Sequence, residues 1–223
     1  MVLSTIPSFV RRRGRITIAQ QRALDTLWSC YGIGPNNLVH LGELFGRITD
    51  LYLEIGFGMG DALIKMAQTH PECDYLGVDV YLPGMGRLLL QLQEQKLQNV
   101  KVLCADIVEI LQHPWLFGRL TGIYIFFPDP WPKKRHHKRR LIQPAFVELL
   151  AQQLKTGGNL WIATDWQEYA DQILAVLEDS PQFKNNVAPY HFSPRLAERP
   201  LTKFEQRGQH LGHQVWDLNY QRL

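Results

Sequence analysis

Glycines 56, 58 and 60 stand in the run LEIGFGMG, Leu53–Gly60, between an apolar β-rich stretch and the helical spacing of Leu63, Ile64 and Ala67. Glycines at a strand-to-helix turn allow positive φ and let a ligand approach the backbone. Open parallel sheets gather ligands at the carboxyl ends of their strands, where this turn lies. A dinucleotide fingerprint GxGxxG starting at Gly56 needs glycine at position 61, and the chain has Asp61 there. Glu54, on the strand itself, suits a pyrophosphate badly and the cationic end of S-adenosyl-L-methionine well. Asp79, closing the next apolar run, is placed to hold two ribose hydroxyls. Asp106, after the third run, is placed to accept from an adenine amino group. Glu54, Gly56, Gly58, Gly60, Asp79 and Asp106 together read as a site for S-adenosylmethionine in preference to a nicotinamide. The bland alternative is a tight turn with no ligand.

A second chemical segment is FFPDPWPKKRHHKRR, Phe126–Arg140. An apolar strand ends in a proline-framed acid, Asp129, and the chain then turns strongly basic. Prolines on either side fix the local backbone and remove competing N–H donors, so Asp129 points into the same cleft. A carboxylate there can bind the N1–H and N2–H edge of a guanine and offset positive charge developing on the ring. N7 carries its own lone pair, so methyl transfer to it asks for alignment at about 3–3.5 Å rather than a strong base. Asp165, in Ala163-Thr164-Asp165-Trp166, ends another strand and fits the same purpose. Trp131 or Trp166 could stack on an unpaired base, core packing being the commoner fate of a tryptophan. Lys133 can reach a phosphate, and Arg135, Lys138, Arg139 and Arg140 can line the approach of an RNA backbone. His136, His137, His191, His210 and His213 show no metal-ligand spacing, and no metal site is expected.

These residues need a scaffold. Near-continuous apolar runs at Leu51–Ile55, Tyr75–Val80, Val100–Cys104, Thr121–Phe127 and Asn159–Thr164 predict five strands. They alternate with helical spacing after Gly60, around Leu88, Leu89 and Leu92, from Lys138 to Leu154, and from Gln167 to Leu177. Alternation of this kind predicts a mainly parallel sheet with helices on both faces. Two edge strands are expected near Val187–His191 and Gln214–Asn219. The division expected is a basic N-terminal arm with a lead-in helix over 1–40, followed by one α/β domain over 41–223.

Net charge is only +3 over 223 residues, but it is unevenly spread. Arg11, Arg12, Arg13 and Arg15 form one cluster, and Lys133, Lys134, Arg135, Lys138, Arg139 and Arg140 another. Together they hold ten positive charges and no acid, leaving the remainder at −7. Two basic patches on an acidic body are a possible footprint for a polyanion, solvated charge runs being the plain alternative. No run approaches the roughly 18 apolar residues a membrane span needs. Three scattered cysteines suggest neither disulfides nor zinc and suit a reducing cytoplasm.

Taken jointly and in order, SFVRRRGRIT (Ser8–Thr17), LEIGFGMG, FPDPWPKKRHHKRR, ATDW, RPLTKFEQRG (Arg199–Gly208) and LGHQVWDL (Leu211–Leu218) resemble the bacterial tRNA (guanine-N7-)-methyltransferase family over nearly the whole chain. The resemblance implies a class I S-adenosylmethionine-dependent methyltransferase fold, Rossmann-like with a mainly parallel seven-stranded sheet, acting on the variable-loop guanine at tRNA position 46. It implies that Glu54, Asp79, Asp106 and Asp129 contact the methyl donor, with Asp129 also catalytic. Lys133, Asp165, Thr202, Lys203, Phe204 and Glu205 would bind the guanosine region. Arg135, Lys138, Arg139 and Arg140, with Arg11, Arg12 and Arg13 from the arm, would touch tRNA. No obligatory protein partner is expected, and the chain would act as a monomer or homodimer. Departures are Asp79 where the family often has Glu, Pro132 and His137 in place of His and Asn, and Gln214 where Gly is common. Two other readings stay open: a methyltransferase for another RNA or for protein, and an inactive RNA-binding module on the same fold.

Overall fold

A computed structural model describes residues 14–34, 44–202, 205, 206, 208, 212 and 214–223. Its first element is the lead-in helix α1, Ile18–Tyr31, opened by a capping box. The Thr17 hydroxyl accepts from the Gln20 amide at 3.2 Å, and the Gln20 side chain accepts from the Thr17 amide at 2.9 Å, satisfying two otherwise orphaned donors.

The strands β1 (Leu51–Ile55), β2 (Asp74–Asp79), β3 (Val100–Cys104), β4 (Leu120–Phe126), β5 (Leu154–Thr164), β6 (Phe183–Asn185) and β7 (Trp216–Arg222) form one sheet in the order β3-β2-β1-β4-β5-β7-β6. β1 to β5 are mutually parallel, and β7 enters antiparallel between β5 and β6. Helices α2 (Asp61–Thr69) and α3 (Leu82–Glu94) join α1 on one face. Helices α4 (Ile107–Leu111), α5 (Pro144–Gln153) and α6 (Gln167–Glu178) cover the other. Each parallel strand is thus buried on both sides, which is why its sequence reads as an almost unbroken apolar run. Along β1, Leu51, Leu53 and Ile55 enter the core under α4–α6, while Tyr52 and Glu54 face the α1–α3 side.

All five predicted parallel strands are present, with β5 starting five residues earlier than its apolar run. The expected edge strand at Val187–His191 is not formed. Those residues turn instead, and the short β6 lies just before them. Pro189 can donate no ladder hydrogen bond, and Tyr190 sits at φ 59°. The expected helix over 138–154 is shorter, because Lys134–Arg139 coils as a 3₁₀ helix and α5 begins only at Pro144. Among the described residues no helix is long and apolar enough to cross a membrane.

Candidate active site

Carboxyl ends of β1 to β5 all open on one edge of the sheet. A cavity of about 620 Å³ lies there, lined by the glycine turn, the ends of β2 to β4 and two residues of the C-terminal segment, Arg199 and Thr202. Glycines 56, 58 and 60 all take positive φ, at 73°, 56° and 81°. A Cβ on Gly56 or Gly58 would meet nothing within 4 Å, so both leave bare backbone along open space. From outside, α3 presses on this turn so closely that a Cβ at Gly84 would lie 1.8 Å from the Gly58 carbonyl oxygen.

Asp79 holds the turn in place. Its Oδ2 accepts from the Gly58 amide at 2.7 Å, and its Oδ1 accepts from the amides of Val80 and Tyr81 at 2.6 and 2.9 Å. The second strand therefore clamps the glycine turn while presenting a carboxylate to the cavity. Asp106 lines the cavity and also caps α4, accepting from the Val108 amide at 3.0 Å.

Glu54 is 3% exposed, and its Oε2 is buried without a hydrogen-bond partner. Burial first, then the neighbouring charges of Asp79 and Asp61, push its carboxyl up to about 8. Among the described residues five acids line the cavity: Glu54, Asp61, Asp79, Asp106 and Asp129. The two arginines among the described lining residues are already engaged. Arg87 bonds Asp61 at 2.8 Å and the Met59 carbonyl at 2.6 Å, while Arg199 bonds Glu205 and Asp217. An orphaned acid beside a bare glycine cradle, in a cavity whose described lining is rich in carboxyl groups, fits a compact cationic ligand and opposes a pyrophosphate.

Asp129 also lines the cavity. The register Phe126↔Ala163, continued by Phe127 N–H donating to Ala163 O at 2.8 Å, sets its turn beside the end of β5, where Asp165 follows. Lys133 and Asp165 lie outside the cavity lining, next to its mouth in sequence.

Several expected contacts find other partners. Arg140, expected to touch RNA, is 3% exposed and bonds the Pro130 carbonyl and Gln172 instead. Trp131, one of two stacking candidates, carries the Arg139 guanidinium 4.4 Å from its ring centre, leaving Trp166 as the more exposed tryptophan. Glu205, expected to meet guanosine, is buried with Oε2 held by Arg199 at 2.7 Å and Oε1 by Arg195 at 3.3 Å. Thr202 lines the cavity, and its hydroxyl accepts from the Glu205 amide at 3.2 Å. Lys203, Phe204, Arg11, Arg12 and Arg13 lie outside the described residues.

Sequence reasoning assigned no role to Arg199. Its 1%-exposed guanidinium bridges Glu205 to both oxygens of Asp217 on β7, at 3.1 and 3.0 Å, and lies over Phe126 and Phe127. A charged residue flanked by two acids 6 and 18 positions away looks unremarkable in sequence. Only the placement of β7 beside β5 brings the three together.

The sheet order, the glycine turn and the acid-lined cavity define a class I S-adenosylmethionine-dependent methyltransferase. Solved structures agree on the fold. The chain superposes on the antibiotic-resistance methyltransferase Kmr with TM-score 0.57 at 16% identity, covering 86% of this chain and 93% of that one. It superposes on a 16S rRNA (adenine(1408)-N(1))-methyltransferase from Catenulisporales acidiphilia, solved with its cosubstrate SAM, with TM-score 0.55 at 16% identity, covering 86% and 92%. A family described as "Putative methyltransferase" matches residues 49–218. The tRNA (guanine-N(7)-)-methyltransferase of Methylobacillus flagellatus is 52% identical over 219 residues, 97% of this chain and 91% of the relative. That of Alkalilimnicola ehrlichii is 51% identical over 220 residues, 97% and 92%. The chain belongs to the tRNA (guanine-N(7)-)-methyltransferase family.

Proposed function

We infer that this protein transfers a methyl group from S-adenosylmethionine to N7 of the variable-loop guanine, position 46, of tRNA. The observation that carries the reading is the pairing of a cation-seeking cavity under the glycine turn with a proline-framed acid that leads straight into exposed basic chain. When bound, S-adenosylmethionine supplies an electrophilic methyl on a sulfonium. Glu54, Asp79 and Asp106 would hold it, Glu54 giving its orphaned oxygen to the cationic end. Glycines 56, 58 and 60 let the backbone approach without side-chain obstruction.

On the substrate side, Asp129 binds the polar edge of the guanine, turns N7 toward the methyl, and offsets the positive charge gained by the purine. Asp165 and Thr202 complete the pocket, with Lys133 on the adjacent phosphate. Glu205 acts from behind, as the anchor that fixes the Thr202 segment. Exposed Lys134, Arg135 and Lys138 meet the tRNA backbone, and Arg139 contributes from its stacked position on Trp131. Lys203, Phe204 and the arm residues Arg11, Arg12 and Arg13 are assigned to tRNA from the family resemblance. The protein works on tRNA as a monomer or homodimer and needs no obligatory protein partner.

The test is product identification. Purified protein is incubated with labelled S-adenosylmethionine and unmodified tRNA, and the RNA is digested to nucleosides. 7-Methylguanosine that vanishes when the variable-loop guanine is replaced is the expected result. A different methylated nucleoside would overturn the substrate assignment, and binding without any product would overturn the enzymatic one.

A further inference from the structure

Read along the chain, Lys133–Arg140 is a run of cations facing solvent. The structure turns the last of them inward. Lys133, Lys134, Arg135 and Lys138 are exposed, whereas Arg140 is buried against α6. Its Nε donates to the Pro130 carbonyl oxygen at 2.8 Å, and its Nη1 donates to Gln172 Oε1 at 2.6 Å. Nη2 lies 3.1 Å from His137 Nε2 and 3.5 Å from Glu168 Oε1. The guanidinium carbon stands 5.0 Å from the centre of the Tyr169 ring. That socket is itself tied down, since the Tyr169 hydroxyl accepts from the Ile142 amide and the Gln172 amide group donates to the Ile142 carbonyl. No fork is left over for a phosphate.

The turn gripped by Arg140 is one that requires holding. Phe127 and Trp131, two bulky residues, take φ of 54° and 45° on either side of Asp129. Such conformations are unfavourable and persist only where surrounding contacts over-determine them. Pro128, Pro130 and Pro132 have no N–H to contribute. On the upstream side the Phe127 amide is fixed to β5 through Ala163 O. On the downstream side Arg140 fixes the Pro130 carbonyl to α6. Arg140 thus links the turn, through the Pro130 carbonyl, to the Tyr169 and Gln172 socket on α6.

We propose that Arg140 is a positioning residue: it holds the Asp129 turn against α6 in the orientation the reaction uses, and it makes no contact with tRNA. The proposal rests on the role assigned to Asp129 above. It divides the basic run by direction, with the exposed cations for RNA and the final arginine for the active-site turn.

The experiment compares Arg140→Met, Arg140→Lys, Gln172→Met, Lys138→Met and Asp129→Ala with wild type. Thermal unfolding establishes that each is folded. Three further quantities are measured: the single-turnover rate at saturating tRNA and S-adenosylmethionine, the salt dependence of tRNA binding without the methyl donor, and hydrogen exchange of the 126–131 peptide. Arg140→Met is expected to slow the single turnover by about 10- to 100-fold, the scale of a misplaced reacting group. Its salt slope stays at the wild-type value, and the amides of Phe127, Asp129 and Trp131 exchange faster. Arg140→Lys, able to reach the Pro130 carbonyl but not Gln172 as well, recovers part of the rate. Gln172→Met, outside the basic run, slows turnover in the same direction and carries the test if Arg140→Met does not fold. A slope reduced by about one, as expected for Lys138→Met, together with an unchanged saturated rate would make Arg140 a phosphate contact and overturn the proposal. A slow Asp129→Ala beside a fast, folded Arg140→Met overturns the positioning role alone. An Asp129→Ala enzyme as fast as wild type overturns the reading of Asp129 and the proposal with it.

Discussion

Replacing Glu54 by Gln should stabilise the ligand-free protein while weakening its hold on the methyl donor, and the gain should depend on pH in a defined way. Glu54 is fully buried, one of its oxygens has no partner, and its carboxyl is raised from an ordinary 4.5 to about 8. Between those values the folded protein keeps a proton that the unfolded chain has shed. Stability therefore falls as pH rises through the window and levels off above about 8. Glutamine has no proton to lose and escapes this penalty. At about 1.4 kcal/mol per unit, the advantage of Gln is close to zero below pH 4.5, about 3 kcal/mol at pH 7, and about 5 kcal/mol above pH 8. For a chain of this size 1 kcal/mol moves Tm by about 2–4 °C, so the variant should melt about 6–12 °C higher at pH 7 and only about 2 °C higher at pH 5. Differential scanning fluorimetry from pH 5 to 8.5, without ligand, reads the difference directly. Adding S-adenosylmethionine should narrow or reverse it, because the wild-type carboxylate gains its cation and the amide does not. A Tm difference that is flat with pH, or wild type the more stable form at pH 8 without ligand, would refute the argument that Glu54 is a buried acid awaiting a cation.

Other outcomes follow from the same geometry. Gly84→Ala drives a methyl group into the Gly58 carbonyl, displacing the glycine turn; overpacking of this kind costs about 1–3 kcal/mol and should lower S-adenosylmethionine affinity by calorimetry, whereas unchanged affinity would mean α3 yields freely. Arg199→Met leaves Glu205 and Asp217 buried without their shared cation, a loss of about 3–5 kcal/mol by urea unfolding that further substitution of both acids by apolar residues should largely recover. Neutralising Arg135 and Lys138 together should weaken tRNA binding and reduce its salt slope by about two, and a wild-type slope would remove these cations from the RNA-facing surface.

The local chemistry of this protein was legible from its residues. Near-continuous apolar runs placed the five parallel strands, because strands buried on both faces must be apolar throughout, and period-3.6 spacing placed most of the helices. Three glycines between a strand and a helix marked the cradle, and Glu54 marked the charge of its ligand. Family motifs carried the rest of the identification, since no single glycine turn distinguishes one methyl acceptor from another. Tertiary structure decided which way charges face. Arg140 and Arg139 are neighbours of the same type in one basic run, yet the 3₁₀ coil of Lys134–Arg139 delivers one into a socket on α6 and the other onto Trp131. Glu205 reads in its motif as a guanosine ligand, and β7, entering antiparallel beside β5, brings Asp217 to share Arg199 with it. Val187–His191 has the β-branched and aromatic residues of a strand, but the positive φ of Tyr190 turns it away from the sheet edge. Composition and spacing fix what a residue can do; its direction is set by contacts between segments that meet only once the chain has folded.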